Sequence, residues 1–413
     1  MSLIDLQLSY NQFTGSIPPS ICNLSNLSIL YLHHNNLYGF IPMEIGNLMS
    51  FIDLELSYNQ FIGSIPPSIC YLRNLSIFHL HHNNISSSIP QEIEKLTHVT
   101  VLDLSYNWFT RSIPPSNGSL SNLQHLNLDD NNFFGSISNE IGNLTSLSHL
   151  SLQYNQLKGS VPSSLDRLSE LQFLYIGHNS LSDSFPPIFE NFTKLTVVTL
   201  FENNFNGILP HDVCRSGSLQ KLSISGNNFS GSILTSLKIC ASFVRVRLNG
   251  NQFTGNIFED FGIYPKPDFI DISHNKFHGQ ISSNWGKCPQ LRDLRMTEND
   301  ISRTIPPEIG NLTNLGSIDL SFNHLVGEIP KEIERLTSLN RLILNGNKLS
   351  SSLPRELGFL TELEYLDLSA NRLSSSISDN LENLSKLHYL NLSCNRLSQE
   401  ISIQLEKLIN YLS

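Results

Sequence analysis

Residues 311–339 read "NLTNLGSIDLSFNHLVGEIPKEIERLTSL", and the same pattern recurs along the whole chain. Apolar residues stand eight, five and three positions before Asn323, and another follows two positions after it. Stepping by 24 residues from Asn11 finds an asparagine every time up to Asn395, which gives seventeen repeats without an insertion or deletion. We number the repeats 1 to 17 and count positions from the Asn of each repeat, minus before it and plus after it.

The spacing of the apolar residues predicts the fold. The alternating LxL before each Asn is typical of a short strand with one face buried. A single repeat is too small to bury that face alone, so the repeats must stack and pair their strands into a parallel sheet. The Asn comes where the strand turns, and an inward amide there would satisfy backbone groups. Phenylalanines at plus two predict an aromatic column in the core: Phe13, Phe61, Phe109, Phe133, Phe205, Phe229, Phe253 and Phe277.

The consensus LxxLxLxxNxLxGxIPxxIGNLxxL resembles the plant-specific class of leucine-rich repeat. That class builds the ectodomains of plant receptor kinases, receptor-like proteins and polygalacturonase inhibitors. Residues 311–339, quoted above, and "CASFVRVRLNGNQFTGNI" (240–257) are most similar to receptor-kinase ectodomains that sense peptides, including the branch for phytocytokines. The resemblance implies an α/β repeat solenoid, a leucine-rich-repeat superhelix whose concave face is a parallel sheet of 17 repeats of 24 residues.

The repeat phase runs from end to end, so we expect residues 1–413 to form a single solenoid. Family members carry cysteine-bearing caps, and the phase predicts that this solenoid is uncapped. Residues 1–48 and 49–96 agree at 34 of 48 positions, which indicates a duplicated two-repeat unit over 1–96. We expect no transmembrane segment or kinase domain in the chain, because it has no long apolar run and no kinase motif set.

Composition excludes several functions. The net charge of −10 argues against general binding to nucleic acid or to an anionic membrane. The first residues, "MSLIDLQLSYNQF", lack the basic region and apolar core of a secretory signal peptide. Six cysteines in 413 residues do not make a disulfide scaffold. No motif calls for a cofactor.

Binding by a solenoid is expected on its concave face, from side chains at minus six, minus four, minus two and minus one. These positions are acidic and histidine-rich early in the chain, aromatic in the middle and basic later. The ligand-binding candidates are Arg245, Arg247, Asp271, Arg295, Tyr175, Phe201, His178, Tyr154, Glu55, His79 and His81.

Arg245 and Arg247 lie two apart on one predicted strand, so both leave it on the same face. Arginine forks bind carboxylates in a fixed geometry that lysine does not reproduce. The resemblance implies that such an RxR pair receives the C-terminal carboxylate of a peptide. The alternative is an arginine ladder neutralised by neighbours such as Asp271 in the next repeat.

Two "HHNN" stretches, at 33–36 and 81–84, suggest a metal site at first sight. They are two repeats apart, about 10 Å at a strand spacing of roughly 4.8 Å, whereas zinc ligands lie about 2 Å from the ion. We therefore predict no metal site and, without a nucleophile motif, no enzyme activity and no catalytic residue. Glu55 and His79 are one strand apart and are expected to pair. Nearby carboxylates would favour protonated histidines, which predicts pH-dependent binding between about pH 5 and 7.

Two kinds of covalent modification are predicted. Cys214 and Cys240, in adjacent repeats and close in phase, are the disulfide candidate, the alternative being two separate buried thiols. N-glycosylation sequons at eight positions are candidates, although the repeat consensus itself generates "NLS" and "NLT". These positions are Asn23, Asn74, Asn117, Asn143, Asn191, Asn228, Asn311 and Asn383.

The function implied by the resemblance is non-catalytic recognition of a secreted peptide or protein. The chain would be the ectodomain portion of a plant receptor-like kinase, extracellular or on the plasma membrane, with a co-receptor kinase ectodomain as a second partner. Two alternatives stay open at this point. One is inhibition of cell-wall-degrading enzymes, as in polygalacturonase inhibitors, and the other is a truncated protein that does not signal.

Overall fold

The computed structural model describes residues 3–232, 235–238 and 240–401. The chain forms two compact units, Met1–Asn206 and Gly207–Ser413, and each is described by itself. Both are built from the repeat read in the sequence. That residues 1–413 form one uncapped solenoid stays a prediction.

Each repeat contributes a three-residue strand at minus six to minus four, and these strands form the concave face. In the first unit they are Asp5–Gln7, Ile29–Tyr31, Asp53–Glu55, Ile77–His79, Val101–Asp103, His125–Asn127, His149–Ser151, Phe173–Tyr175 and Val197–Thr199. In the second unit they are Lys221–Ser223, Arg245–Arg247, Phe269–Asp271, Asp293–Arg295, Ser317–Asp319, Arg341–Ile343, Tyr365–Asp367 and Tyr389–Asn391. Neighbouring strands within a unit pair in parallel, each residue facing its equivalent 24 positions on, as Arg245 faces Phe269. The predicted leucine-rich-repeat fold is confirmed.

A second strand follows the Asn in most repeats, on the side of the turn. In the first unit these strands are Thr14–Gly15, Asn36–Phe40, Gln60–Gly63, Asn84–Ile85, Phe134–Gly135, Gln156–Gly159, Ser180–Ser184 and Asn204–Ile208, the last of which runs two residues into the second unit. In the second unit they are Asn228–Ser232, Gln252–Asn256, Lys276–Gly279, Asp300–Arg303, His324–Gly327, Lys348–Leu349, Ser374–Ser375 and Arg396–Leu397.

The return path of most repeats is a 3₁₀ helix that begins just after the IP pair, where proline presets the backbone and cannot donate. In the first unit these helices are Pro19–Asn23, Met43–Asn47, Pro67–Tyr71, Gln91–Lys95, Pro115–Ser119, Asn139–Asn143, Ser163–Arg167 and Phe189–Asn191. In the second unit they are Ser283–Lys287, Pro307–Asn311, Lys331–Arg335, Arg355–Phe359 and Asp379–Asn383. Two short α-helices, Thr235–Lys238 and Ile257–Asp260, replace them in repeats 10 and 11.

The recurrent Asn holds each turn together, as the sequence predicts. The Nδ2 of Asn131 donates to the carbonyls of Leu104, Leu128 and Asp129, at 3.1, 3.2 and 2.9 Å. Its Oδ1 accepts the backbone N–H of Phe109 at 3.0 Å. One buried amide thus satisfies four backbone groups in two repeats, which explains why no other side chain takes the place.

The phenylalanines at plus two are buried, and they stack where consecutive repeats carry them. The ring centroids of Phe109 and Phe133 are 5.8 Å apart, and those of Phe253 and Phe277 are 6.1 Å apart. Phe13 departs from the predicted column: it is 45% exposed, because no described repeat precedes it to cover the ring.

The residue at minus one has a left-handed backbone conformation, which the sequence pattern does not predict. Its φ is positive in every repeat, between +48° at Asp130 and +69° at Gly346. A left-handed residue other than glycine costs about 1–2 kcal/mol. The Asn that follows it offsets this cost through its hydrogen bonds. Side chains at minus one therefore leave the sheet at one edge in a common direction.

No helix in the described ranges is both long and apolar enough to cross a lipid bilayer.

Candidate functional site

The arginines of the second unit converge on one aromatic ring. Parallel pairing aligns Arg245 with Phe269 and Arg247 with Asp271, and the next strand adds Arg295 beside Asp271. The guanidinium carbons of Arg245, Arg247 and Arg295 lie 5.2, 4.9 and 5.2 Å from the centroid of the Phe269 ring. Phe269 is 8% exposed, so the three cations form a lid over it. We call Arg245, Arg247, Phe269 and Arg295 the arginine cluster.

The three guanidinium groups differ in their counter-charges. Arg295 donates to both oxygens of Asp293, from Nε at 3.0 Å and from Nη2 at 2.7 Å. Arg245 has one longer contact, 3.6 Å from its Nε to Oδ1 of Asp268. No carboxylate in the described part of the chain lies within 4.0 Å of the Arg247 guanidinium.

Asp271 does not neutralise the pair. It is buried at 8% exposure, and its Oδ1 accepts the backbone N–H of Ser273 at 3.0 Å. The arrangement therefore offers two exposed guanidinium groups, Arg245 and Arg247, whose donors are free or only loosely held. Such a pair can bind an added carboxylate.

Phe269 is not among the ligand-binding residues predicted from the sequence. An aromatic residue at minus six, flanked by arginines on the strand before it and the strand after it, is the signal that would have found it. All three guanidinium groups lie within cation–π distance of this ring. It therefore belongs to the site as much as they do.

The predicted aromatic candidates of the first unit separate into two groups. Tyr154 lies against His178 at 4.8 Å and against Phe201 at 5.9 Å between ring centroids. The ring of Phe201 covers Gly177, where an added Cβ would come within 2.5 Å of it. His178 pairs with Glu202. These residues form an exposed aromatic patch at the edge of repeats 7 to 9.

Tyr175 belongs to the second group, farther into the concave face. Its ring contacts that of His149 at 5.3 Å, and the ring of Phe173 lies 5.5 Å from His149. His149 in turn stacks on His125 at 5.6 Å. Burial and the neighbouring charge of His125 lower the pKa of His149, which favours the neutral form of the His149 ring.

Glu55 and His79 pair as expected, with 2.5 Å between Oε2 and Nδ1. Burial opposes ionisation of both groups, but their mutual hydrogen bond and attraction outweigh it. The pKa of His79 is raised and that of Glu55 is lowered. In the strand before, the hydroxyl of Tyr31 donates to Asp53 at 2.6 Å, which with burial raises the pKa of Tyr31 to about 12.

Three histidines of the two HHNN stretches behave differently from the prediction. Burial lowers the pKa values of His33, His81 and His82, and the carboxylates near them only partly offset it. The Nδ1 of His81 lies 3.7 Å from Asp103, too far for a strong hydrogen bond. Ring burial therefore outweighs attraction to the carboxylates at His33, His81 and His82, contrary to the expectation, whereas at His79 the attraction prevails and raises the pKa.

The second histidine of each HHNN stretch is part of a stack of rings. Tyr10, His34, Tyr58, His82 and Tyr106 occupy minus one in repeats 1 to 5 and lie face to face. Successive centroids are 4.4, 4.0, 4.2 and 4.1 Å apart, and no pair of planes is inclined by more than 19°. We call these five rings the edge stack. Within the residues that the structure describes, no group of three or more His, Cys, Asp or Glu side chains is placed to hold a metal ion.

Of the eight glycosylation candidates, Asn117 is 1% exposed, and a sugar on its amide has no room in this fold. The side chains of the other seven lie at the surface. A disulfide links Cys214 and Cys240, whose Cα atoms are 5.6 Å apart.

Comparison with known proteins agrees with this geometry. A family model described as "Leucine-rich repeat region" matches residues 68–237 and 270–413, and one described as "Leucine Rich Repeat" matches 2–24, 26–48 and 50–72. Receptor-like protein 6 of Arabidopsis thaliana is 60% identical over 42 residues, which are 10% of this chain and 4% of that protein.

Solved structures match over nearly the whole chain. The ectodomain of the receptor kinase GASSHO1/SCHENGEN3 from Arabidopsis thaliana, in complex with CASPARIAN STRIP INTEGRITY FACTOR 2, has a TM-score of 0.94 and 36% identity over 98% of this chain. This chain spans about half of that one, 49% of its length. The Arabidopsis receptor kinase HAESA, in complex with the peptide hormone IDA and the co-receptor SERK1, has a TM-score of 0.87 and 34% identity, covering 98% of this chain and 72% of that one.

The plant peptide hormone receptor RGFR1, in complex with RGF2, has a TM-score of 0.87 and 31% identity, and the match covers 100% of this chain and 74% of that one. The repeat, its register and these matches agree. The chain belongs to the leucine-rich-repeat family, in the form that builds the ectodomains of plant receptor kinases.

Proposed function

We propose that the chain is a non-catalytic recognition module, the ectodomain portion of a plant receptor-like kinase that binds a secreted peptide. HAESA is solved with the peptide hormone IDA, and RGFR1, a plant peptide hormone receptor, is solved with RGF2, which supports the proposal. The disulfide between Cys214 and Cys240 suits an extracellular location, because structural disulfides persist in oxidising compartments. By analogy with HAESA and SERK1, a co-receptor ectodomain is the second partner.

Arg245 and Arg247 are the anchor, and the group they hold is the C-terminal carboxylate of the peptide. The observation that carries this is the lack of a counter-charge near Arg247, beside an Arg245 held only at 3.6 Å. Two adjacent guanidinium groups provide the parallel N–H donors that one carboxylate accepts. Asp271 does not compete, because its carboxylate is buried and hydrogen-bonded to its own turn.

Phe269 preorganises the anchor for a carboxylate. Its ring lies about 5 Å from both guanidinium carbons and restricts their rotation, so less side-chain entropy is lost when an anion binds. Asp293 holds Arg295 on the other side of the ring and leaves it a minor role. We expect the last residues of the peptide to lie on repeats 11 to 13.

The test compares two forms of one peptide library. Twelve-residue synthetic peptides with a free C-terminus, and the same library amidated, are passed over the immobilised chain and retained peptides are counted by mass spectrometry. Wild type should retain the free acids at least about tenfold better, since a charge-assisted hydrogen bond contributes about 1.5–3 kcal/mol. The double variant Arg245→Ala, Arg247→Ala should lose that preference.

Arg341→Ala is the matched control, because Arg341 is also a concave arginine over a ring, 4.4 Å from Tyr365. It should keep the preference. Equal retention of free-acid and amidated peptides by wild type, or an equal loss of both forms in the double variant, would rule out the carboxylate role.

A further inference from the structure

The edge stack of the first unit is interrupted by one residue. Rings occupy minus one from Tyr10 to Tyr106 in repeats 1 to 5, and Tyr154 and His178 resume in repeats 7 and 8. Repeat 6 carries Asp130 instead, in the same left-handed conformation, with a φ of 48°. Its side chain therefore leaves the sheet where a ring would otherwise stand.

This substitution leaves a cleft of about 320 Å³, lined by Tyr106, Asn107, Trp108, Asp130, Asn131, Asn132 and Tyr154. Successive rings of the edge stack are 4.0 to 4.4 Å apart. Tyr106 and Tyr154 are two repeats apart, so their rings are separated by roughly 8–9 Å. A planar group packed between two rings needs about 3.5 Å on each side. The cleft is therefore wide enough for one planar group and too narrow for two.

The carboxylate at the floor of the cleft has no basic partner. Its neighbour is the Tyr106 hydroxyl, whose pKa is raised by burial and by the charge and hydrogen bonding of Asp130. At the same position of other repeats, Glu202 pairs with His178 and Glu298 pairs with His274. Asp130 stands between two tyrosines instead, and no Lys, Arg or His nitrogen of the described residues lies within 4.0 Å of its carboxylate. Each of those two acids has a histidine beside it, whereas Asp130 has no basic side chain beside it among the described residues.

The walls favour a cation over a neutral ring. The aromatic rings of Tyr106 and Tyr154 line the cleft, and Trp108, at plus one, is 59% exposed at its mouth. Aromatic faces attract cations, and they attract a guanidinium most when it stacks parallel to them. A guanidinium is flat enough to replace the missing ring, and its N–H groups reach the carboxylate below.

We propose that this cleft binds the side chain of an arginine on a polypeptide partner, stacked between Tyr106 and Tyr154 and hydrogen-bonded to Asp130. This surface lies at the edge of the sheet in repeats 5 to 7 and does not involve the arginine cluster. It is a second docking point, for a partner that presents an exposed arginine. The proposal stands whether or not the arginine cluster binds a carboxylate.

Trp108 provides a direct readout, because the chain has two tryptophans and the other, Trp285, is 2% exposed. The probe is the blocked tripeptide acetyl-Gly-Arg-Gly-amide, titrated into the full chain while Trp108 fluorescence is followed. Acetyl-Gly-Lys-Gly-amide and acetyl-Gly-Phe-Gly-amide are the comparison probes. We expect saturable binding of the arginine peptide, at least about fivefold tighter than the lysine peptide.

Two variants separate the parts of the site. Asp130→Asn keeps the shape and should weaken the arginine peptide about tenfold, the cost of one charged hydrogen bond. Asp130→Tyr should complete the edge stack and abolish binding, and it should fold, since tyrosine occupies this position in the repeats on both sides. Glu202→Gln, which removes an acid that already has a partner, should change nothing.

Equal affinity for the lysine or the phenylalanine peptide would overturn the proposal, because a stacked guanidinium would then not be what the cleft selects. Unchanged binding in Asp130→Tyr would show that the gap is not the site. A flat Trp108 signal with the arginine peptide at millimolar concentration would overturn it as well.

Discussion

In repeats 2 to 5 of the first unit, the carboxylates of the concave strands have hydrogen-bonding or ion-pair partners on neighbouring strands. In repeat 11 of the second unit, Arg247 has no carboxylate partner among the described residues. Asp53 takes the Tyr31 hydroxyl, and Glu55 takes His79, each across one strand spacing. The backbone register is identical in the two places. The difference shows that the scaffold fixes where side chains point, and that the residue types alone decide whether a face is satisfied or left for a ligand.

The largest effect should come from the part that the two units share. Asn107→Ala removes an amide that donates to Leu80, Leu104 and Ser105, and Asn323→Ala removes the equivalent amide in the second unit. Each should cost about 3 kcal/mol, because buried backbone carbonyls lose their donors. Hydrogen exchange of the surrounding repeats measures the loss locally, which suits a repeat protein that does not unfold in one step.

Asn36→Ala is the control for that pair, since Asn36 is an exposed residue at plus one and should cost less than about 0.5 kcal/mol. If Asn107→Ala and Asn323→Ala differed by more than about 1 kcal/mol, well beyond the usual error of additivity, the scaffolds of the two units would not be equivalent. The contrast between their faces would then have a structural origin.

Glu55→Gln should have the next largest effect, about 2 kcal/mol at pH 6, because it leaves the partly buried His79 without its counter-charge. The pKa of His79 is raised above its ordinary 6.5, so its contribution is complete below pH 6.5 and is lost as the pH rises through the folded value. The pKa of Glu55 is lowered below 4.5, so its contribution is complete above pH 4.5 and is lost as the pH falls through the folded value.

The difference between wild type and Glu55→Gln should therefore be greatest between pH 4.5 and 6.5 and shrink above it. Urea unfolding at several pH values, with His79→Gln and the double variant to complete the cycle, measures this coupling. A difference that is constant from pH 5 to 8 would mean that the pair contributes no charge attraction.

A smaller effect should appear when wild type is acidified from pH 7 to 5. Burial lowers the pKa values of His33, His81, His82 and His149, so these rings stabilise the fold while neutral, above pH 6.5. The unfolded chain binds protons first as the pH falls, and stability declines. Each ring keeps some contact with water, which limits the decline.

Hydrogen exchange in repeats 2 to 7 at pH 7 and pH 5, corrected for intrinsic rates, is the measurement. His81→Asn, which removes one of the buried rings, should reduce the pH dependence. Greater protection at pH 5 than at pH 7 would show that the His79 pair dominates the group instead.

The fold could be predicted from the sequence because every repeat carries the same pattern of apolar residues and asparagine. The period of 24 residues located the strands, and the inward Asn and the Glu55–His79 pair follow from position alone. Such contacts join residues at fixed offsets, so a repeat phase predicts them directly.

The partners of the charged side chains in the site were harder to predict, because a long side chain can reach several partners. Arg295 turns back to Asp293 on its own strand, although Asp271 lies beside it in the register. The left-handed backbone at minus one also escaped prediction, since tyrosine, histidine, aspartate and alanine all occupy it. The edge stack and its gap at Asp130 depend on that conformation, and no single repeat displays it.

The smallest effect tests the arginine cluster itself, through a comparison of two arginines over one ring. Arg247 and Arg295 lie at similar distances from Phe269, 4.9 and 5.2 Å, but only Arg295 has a carboxylate partner. Arg295→Gln should cost about 0.5 kcal/mol more than Arg247→Gln, the usual contribution of an exposed ion pair. In the background of Asp293→Asn the two substitutions should become equal. Chemical denaturation of the six proteins, wild type included, can check this. If Arg247→Gln cost as much as Arg295→Gln or more, Arg247 would have a counter-charge in solution. A guanidinium already neutralised in that way would have no donors left for a peptide carboxylate.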